Sequence, residues 1–221
     1  MSGPGGGVGR QVARVLAAGS RWLNANLAWL VAWTVAVGAS IAMVATVADA
    51  VGDDTAVVSV ALAQRVPVEQ IADIDVPAGA SLDVDPRSSA ATYEVAALDW
   101  GLRLLAAGGE LVVLSLTAVG AVLVAGVSRR FTSGRPFDPR VGRAMFWLAL
   151  LFATGSILPA IVDELAATAV FRASGVFEVA PVSPVGLELH LGALVTAVLL
   201  AVLTQAFRHG QRLERDVEGL V

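Results

Sequence analysis

Four stretches of this chain, 27–48, 104–127, 144–162 and 189–207, are dominated by Leu, Val, Ala and Phe, and each is close to the roughly 20 residues of helix that cross a hydrocarbon core. Backbone N–H and C=O groups find no water there, so a spanning segment pairs them internally as an α-helix. Three of the runs hold no acid or arginine, the second holds Glu110, and the third admits an extension to Val170. Composition agrees. Of 221 residues 56% are hydrophobic and 15% charged, against about 45–50% and 25% in soluble domains. Trp22, Trp29 and Trp147 fall near the predicted span ends, where amphipathic rings favour the headgroup level, while Trp33 lies deeper.

The first run follows Arg10, Arg14 and Arg21 and ends on "ADA" (48–50), so it must be weighed against a secretory leader. Its apolar core exceeds the roughly 7–15 residues of a leader's hydrophobic region, so it is expected to stay as an anchor. The opening "MSGPGGGVGR" follows no predicted strand and lacks the Gly-Lys-Ser/Thr ending of a phosphate loop. It is expected to be a tail.

Arginine placement sets the expected orientation, because positive charge near span ends resists translocation. All fifteen basic residues are Arg. Eleven lie in three segments: Arg10, Arg14 and Arg21 in the N-terminal tail; Arg129, Arg130, Arg135, Arg140 and Arg143 in the loop "SRRFTSGRPFDPRVGR" (128–143); Arg208, Arg212 and Arg215 after the last run. Arg65, Arg87 and Arg172, with Arg103 at a span boundary, fall on the other side, together with ten acids between Asp49 and Asp99. An even number of spans then places both termini in the cytoplasm. The net charge of −4 is an average over this segregation.

Segment 49–103 is unlike the rest. "TAVVSVALAQ", "VEQIADIDV", "SLDVD" and "TYEVAAL" alternate partly with period two and are punctuated by Pro67, Pro77, Gly79 and Pro86, which reads as three to five short strands. A unit so small buries little surface and is expected to lean on the helix ends. "SGVFEVAPVSPVG", within the outer loop 163–188, suggests a loop or an added edge strand. The expected fold is therefore an all-α membrane protein of four transmembrane helices with a small β-rich extracytoplasmic domain between helices 1 and 2, a cytoplasmic tail at 1–26, a cytoplasmic loop at 128–143 and a cytoplasmic tail at 208–221.

Chemistry is sparsely provided. The chain has no cysteine and only two histidines, His190 and His209, on opposite predicted sides, so a Ser/His pair on one side has no geometric basis. No zinc-type spacing occurs. Asp49, Asp53 and Asp54, like the carboxylates of "DIDV" and "LDVDP", offer oxygens to a hard cation, but none matches the calcium-loop spacing with its Gly and terminal Glu, and they read as a solvated acidic surface. No cofactor, no metal and no enzymatic activity are expected. Glu110, in "LLAAGGELVVLSL", has two readings. It is either an intramembrane proton or cation relay partnered by Arg103 or His190, or an interfacial residue just ahead of a span beginning at Leu111.

"GRPFDPR" is shaped as well as basic. Gly134 permits a turn, Pro136 fixes φ, and Asp138 followed by Pro139 reads as a helix N-cap with proline at the first helical position. Phe137 would then pack back as a staple. Arg140 and Arg143 lie on the next turn, facing phosphate headgroups or a partner. The loop and tail are expected to dock, Arg135 or Arg140 pairing with Glu214, Asp216 or Glu218. The stretch "SGRPFDPRVGRAM" resembles the cytoplasmic junction of the DUF2975 family, and "FRHGQRLERDVEGLV" (207–221) is similar to that family's C-terminal ending. The "EGLV" end departs from the usual residue before the final Val, and the external segment carries no family motif. The resemblance implies an uncharacterised bacterial integral membrane protein of four spans, with a small helix-turn-helix regulator as a partner; no functional residue is carried over. Two functions follow as expectations: a non-enzymatic sensor, scaffold or regulatory partner in the bacterial plasma membrane, contacting anionic lipid headgroups and a cytoplasmic protein but not nucleic acid, or a small transporter or accessory subunit using Glu110.

Overall fold

The computed structural model describes residues 6–61, 79–84, 90–134, 138–174 and 190–218, with side chains described for 26–58, 79–81, 92–134, 138–174 and 190–212. In chain order these form α1 (Gly6–Gly52), β1 (Thr55–Ala61), β2 (Ala80–Val84), β3 (Ala90–Ala96), α2 (Trp100–Ala106), α3 (Gly108–Thr132), α4 (Pro139–Gly155), α5 (Leu158–Ser174) and α6 (Leu191–Glu218). Four helical segments are long and apolar enough to cross a membrane: Asn26–Gly52, Gly108–Thr132, Pro139–Ser174 and Leu191–Arg212. The chain is mostly helical, with one small sheet.

The second and third segments differ in detail from the sequence reading. Where one run from 104 was expected, the helix stops at Ala106, turns at Ala107 and restarts at Gly108. Gly108 and Gly109 are poor helix formers inside a run but serve a close approach. A methyl at Gly108 would come within 2.7 Å of the Val162 side chain, and one at Gly109 would collide with the Asp163 carboxylate. The third segment covers 36 residues rather than 19, as two helices broken at Ser156 and Ile157. Pro159 explains the break: it has no N–H for the Gly155 carbonyl, and its ring would clash with that carbonyl in a continuous helix. Ser156 is buried at the turn and donates to the Ala153 carbonyl at 2.7 Å.

The four segments form a row. α1 packs on α3, α3 on both α4 and α5, and α4 on α6, so α1 and α6 stand at its two ends. Neighbours run antiparallel: Thr46 near the end of α1 meets Glu110 at the start of α3, and Gln211 late in α6 meets Asp138 ahead of α4. α1 buries Ala32, Ala36 and Ala39 and α3 buries Ala121 and Ala125, small residues that let helix backbones approach closely. Large side chains such as Ile41, Val44, Leu191 and Val198 face outward, as a bilayer solvent requires.

The sheet has order β1-β3-β2 and is antiparallel throughout, with Tyr93 of β3 opposite Val58 of β1 and Leu82 of β2. Ala56, Val58, Tyr93 and Val95 are buried while Val57, Thr92 and Glu94 are exposed, the period-two alternation of a sheet wet on one face. The inner face rests on Ala167, Val170 and Phe171 of α5, flanked by Leu98 and by Ala106 of α2. The three strands therefore have no core of their own and borrow one from a helix. "TAVVSVALAQ", "SLDVD" and "TYEVAAL" each supply a strand; "VEQIADIDV" and most of "SGVFEVAPVSPVG" lie outside the described residues.

Candidate functional site

The broken helix α4–α5 carries a constructed contact at each end. At its start, Asp138 caps α4: its side-chain Oδ1 accepts from the Arg140 N–H at 2.8 Å, and Pro139 occupies the first turn, as the sequence motif dictates. Gly134 has φ 72°, a left-handed conformation open to glycine. Arg130 reaches Asp138 Oδ2 at 4.0 Å. Arg140 and Arg143 are exposed. Arg135, Pro136 and Phe137, with the expected staple, lie outside the described residues.

α6 docks on this cap. Gln211 Nε2 donates to the Asp138 carbonyl at 3.3 Å, and a Cβ at Gly142 would already touch Gln211 Nε2 at 3.6 Å. One turn earlier, Phe207 meets Phe131 of α3 edge-on with ring centroids 6.0 Å apart, over the buried cluster of Val127, Val141 and Ala144. Loop and tail thus come together through an amide and an aromatic ring. The expected acidic partners Glu214, Asp216 and Glu218 lie in the α6 backbone, but their side chains fall outside the described set.

At the far end, α5 carries the sheet. The Tyr93 and Phe171 rings are 5.2 Å apart, and Tyr93 is only 2% exposed, with its hydroxyl lacking a hydrogen-bond partner among the described residues. Arg103 of α2 is also held in: its side chain is 11% exposed, its Nε and Nη1 lack hydrogen-bond acceptors among the described residues, and it reaches Asp54, almost fully exposed, at 3.9 Å. Buried donors without acceptors cost free energy. The junction of sheet, α2 and α5 is therefore the least satisfied polar region among the described residues.

Glu110 sits in the first turn of α3, exposed, and accepts from Thr46 Oγ1 at 3.4 Å. A carboxylate there is favoured by the helix dipole. Among the described residues the ion pairs are Arg103–Asp54 and Arg130–Asp138, so neither Arg103 nor His190 pairs with Glu110. Asp163, against Gly109 one helix away, is the carboxylate that the sequence reading passed over. The double glycine just before Glu110 was its visible trace. Gln211 left a similar trace, falling at seven-residue intervals from Ala197 and Thr204, all three buried on one face of α6.

Comparison with family models, with curated proteins and with solved structures finds no match.

Proposed function

We propose that this chain is a non-enzymatic four-span membrane protein, a sensor or scaffold, in which the β-rich unit reports through α5 and α4 to a cytoplasmic face made by the 134–143 turn and the C-terminal tail. The observation that carries this reading is the single broken helix with a contact at each end: Tyr93 over Val170 and Phe171 on one side, the Asp138 carbonyl under Gln211 on the other. The hinge at Ser156 and Pro159 lets the two halves change angle without unfolding either. The partner is a small cytoplasmic protein recognising Arg140 and Arg143, with anionic headgroups as competing ligands. The resemblance noted in the sequence adds the bacterial plasma membrane as location and a helix-turn-helix regulator as the partner's type. A transporter using Glu110 has less support, since its carboxylate lies in the first turn of a helix with one neutral hydroxyl partner.

The chain's lack of cysteine makes a direct test simple. Spin labels at Arg140→Cys and Arg212→Cys report the distance between cap and tail in detergent or nanodiscs. Tyr93→Ala, at the opposite end of the molecule, should shift or broaden that distance distribution, whereas Val198→Ala on the outer face of α6 should not. An unchanged distribution in a Tyr93→Ala protein that still melts cooperatively would remove the outside-to-inside link. Separately, Arg135→Glu with Arg140→Glu should abolish co-purification of the cytoplasmic partner while membrane insertion stays intact; retained co-purification takes the motif out of that role.

A further inference from the structure

Between α1 and α3 runs an apolar groove of about 680 Å³, walled by Trp33, Val37, Ile41 and Val44 of α1 and by Val119 and Val122 of α3. Its volume lies within the roughly 300–1,000 Å³ of small-molecule sites. All six walls are between 44% and 66% exposed, so the groove opens sideways. Ser40, its polar side chain on α1, spends its hydroxyl on the Ala36 carbonyl at 2.8 Å, which leaves the surface without an unmet polar demand. From Trp33 to Val44 the groove is about 16 Å long at 1.5 Å per residue, and half of a hydrocarbon core of roughly 30 Å is about the same. Its length is about that of one acyl chain, and it lies over the middle of the Asn26–Gly52 segment.

One end of the groove is marked. Val122, Gly126 and Arg129 follow at i, i+4 and i+7, so they share a face of α3 that runs from the groove toward the basic end of the molecule. Gly126 places no side chain in the way. Arg129 is exposed, and neither ion pair among the described residues uses it; the neighbouring Arg130 is the one that turns to Asp138. On α1, Trp29 lies one turn before Trp33 on the same side, their rings edge-on at 6.3 Å, in the manner of an interfacial anchor.

We infer that this groove holds one acyl chain of an anionic phospholipid from the leaflet on the arginine-rich side, with the phosphate at Arg129 and the chain lying along Val122, Val37 and Ile41. A slot about half a hydrocarbon core long, apolar but for the satisfied Ser40, with Arg129 in no ion pair among the described residues two turns past its end, matches a single lipid chain better than a helix of a second copy, which would run the full thickness. The site is independent of whether the β-rich unit signals.

Native mass spectrometry of the intact protein, loaded with phosphatidylglycerol or phosphatidylcholine of identical chains, tests it. Phosphatidylglycerol should be retained in preference by about fivefold, the factor that one arginine near an anionic surface is worth. Arg129→Gln should erase the preference, and Val122→Phe, which fills an exposed wall, should lower retention of both lipids. In a variant keeping Trp33 and replacing the other tryptophans by Phe, phosphatidylglycerol brominated on its chains should quench Trp33 at a lower mole fraction than brominated phosphatidylcholine does. Equal retention of the two lipids, an unaffected preference in Arg129→Gln, or a dimer whose Trp33 is shielded from both brominated lipids would each overturn the assignment.

Discussion

At the residue scale the described side chains divide into those whose chemistry is satisfied and those whose chemistry is not. Tyr93 is buried as a hydrophobe and penalised as a phenol. Its ring belongs to the sheet's core, yet its hydroxyl has no partner among the described residues, a debt of about 1–3 kcal/mol for a buried polar group. Tyr93→Phe keeps the ring and discards the debt, so it should leave thermal stability unchanged or raise it by about 1 kcal/mol. Tyr93→Ala should cost about 3–5 kcal/mol through the cavity it leaves. Thermal unfolding in detergent checks both, and a Phe variant markedly less stable than the parent would mean that the hydroxyl is satisfied after all. Gly109 supplies the opposite case, in which absence of a side chain is the function. A methyl there meets the Asp163 carboxylate, so Gly109→Ala should destabilise by about 1–3 kcal/mol, the usual cost of overpacking. Adding Asp163→Ala should return most of the loss, and additive losses in the double variant would show that the collision is relieved elsewhere.

At the element scale the decisive feature is the interruption of the third span. The Gly155 carbonyl faces Pro159, which has no N–H to offer, and the chain turns through Ser156 and Ile157 before α5 begins. Pro159→Ala provides the missing donor and removes the ring clash, so α4 and α5 should merge toward one continuous helix. Hydrogen exchange at residues 155–160 should slow by about tenfold, the effect of one net hydrogen bond of about 1–1.5 kcal/mol; unchanged exchange would place the cause of the turn in packing around Ser156 instead. This break shows why some elements can be read from the sequence and others cannot. The apolar runs announce themselves because the bilayer demands length, and the Asp138–Pro139 cap because capping is local chemistry. Pro159 sits in the same run, but apolar neighbours on both sides hide a turn that tertiary contacts with α3 hold in place. The tail contact was missed for a related reason. Charge patterning drew attention to Glu214, Asp216 and Glu218, whereas the described contact uses Gln211 and Phe207, a neutral amide and a ring whose partners lie 73 and 76 positions away in sequence. Close packing across that separation leaves only a faint seven-residue rhythm in the chain.

At the scale of the whole molecule, antiparallel neighbours sort charge between two ends. The end of α3, the start of α4 and the far part of α6 bring together Arg129, Arg130, Arg140, Arg143, Arg208 and Arg212, while the end of α1, the sheet, α2 and the start of α3 hold Asp49, Asp53, Asp54, Glu94, Asp99 and Glu110. α1 is 47 residues long, about 70 Å at 1.5 Å per residue. That is more than twice a hydrocarbon core of roughly 30 Å, and residues 6–25, with Arg10, Arg14 and Arg21, precede the apolar segment Asn26–Gly52 that is long enough to cross. Positive charge near span ends resists translocation, and the start of α1, the end of α3, the start of α4 and the far part of α6 therefore favour the same orientation, outnumbering Arg103 and Arg172 at the other end. Because the chain has no cysteine of its own, single substitutions report sidedness cleanly. Ser133→Cys, at the tip following α3, should react with a membrane-impermeant thiol reagent in inverted vesicles and stay unlabelled in intact cells, while Asp53→Cys, between α1 and β1, should show the reverse. Labelling of both positions from one side would require an even number of crossings between them, and labelling with the sides exchanged would mean that the arginine-rich end is translocated against its charge.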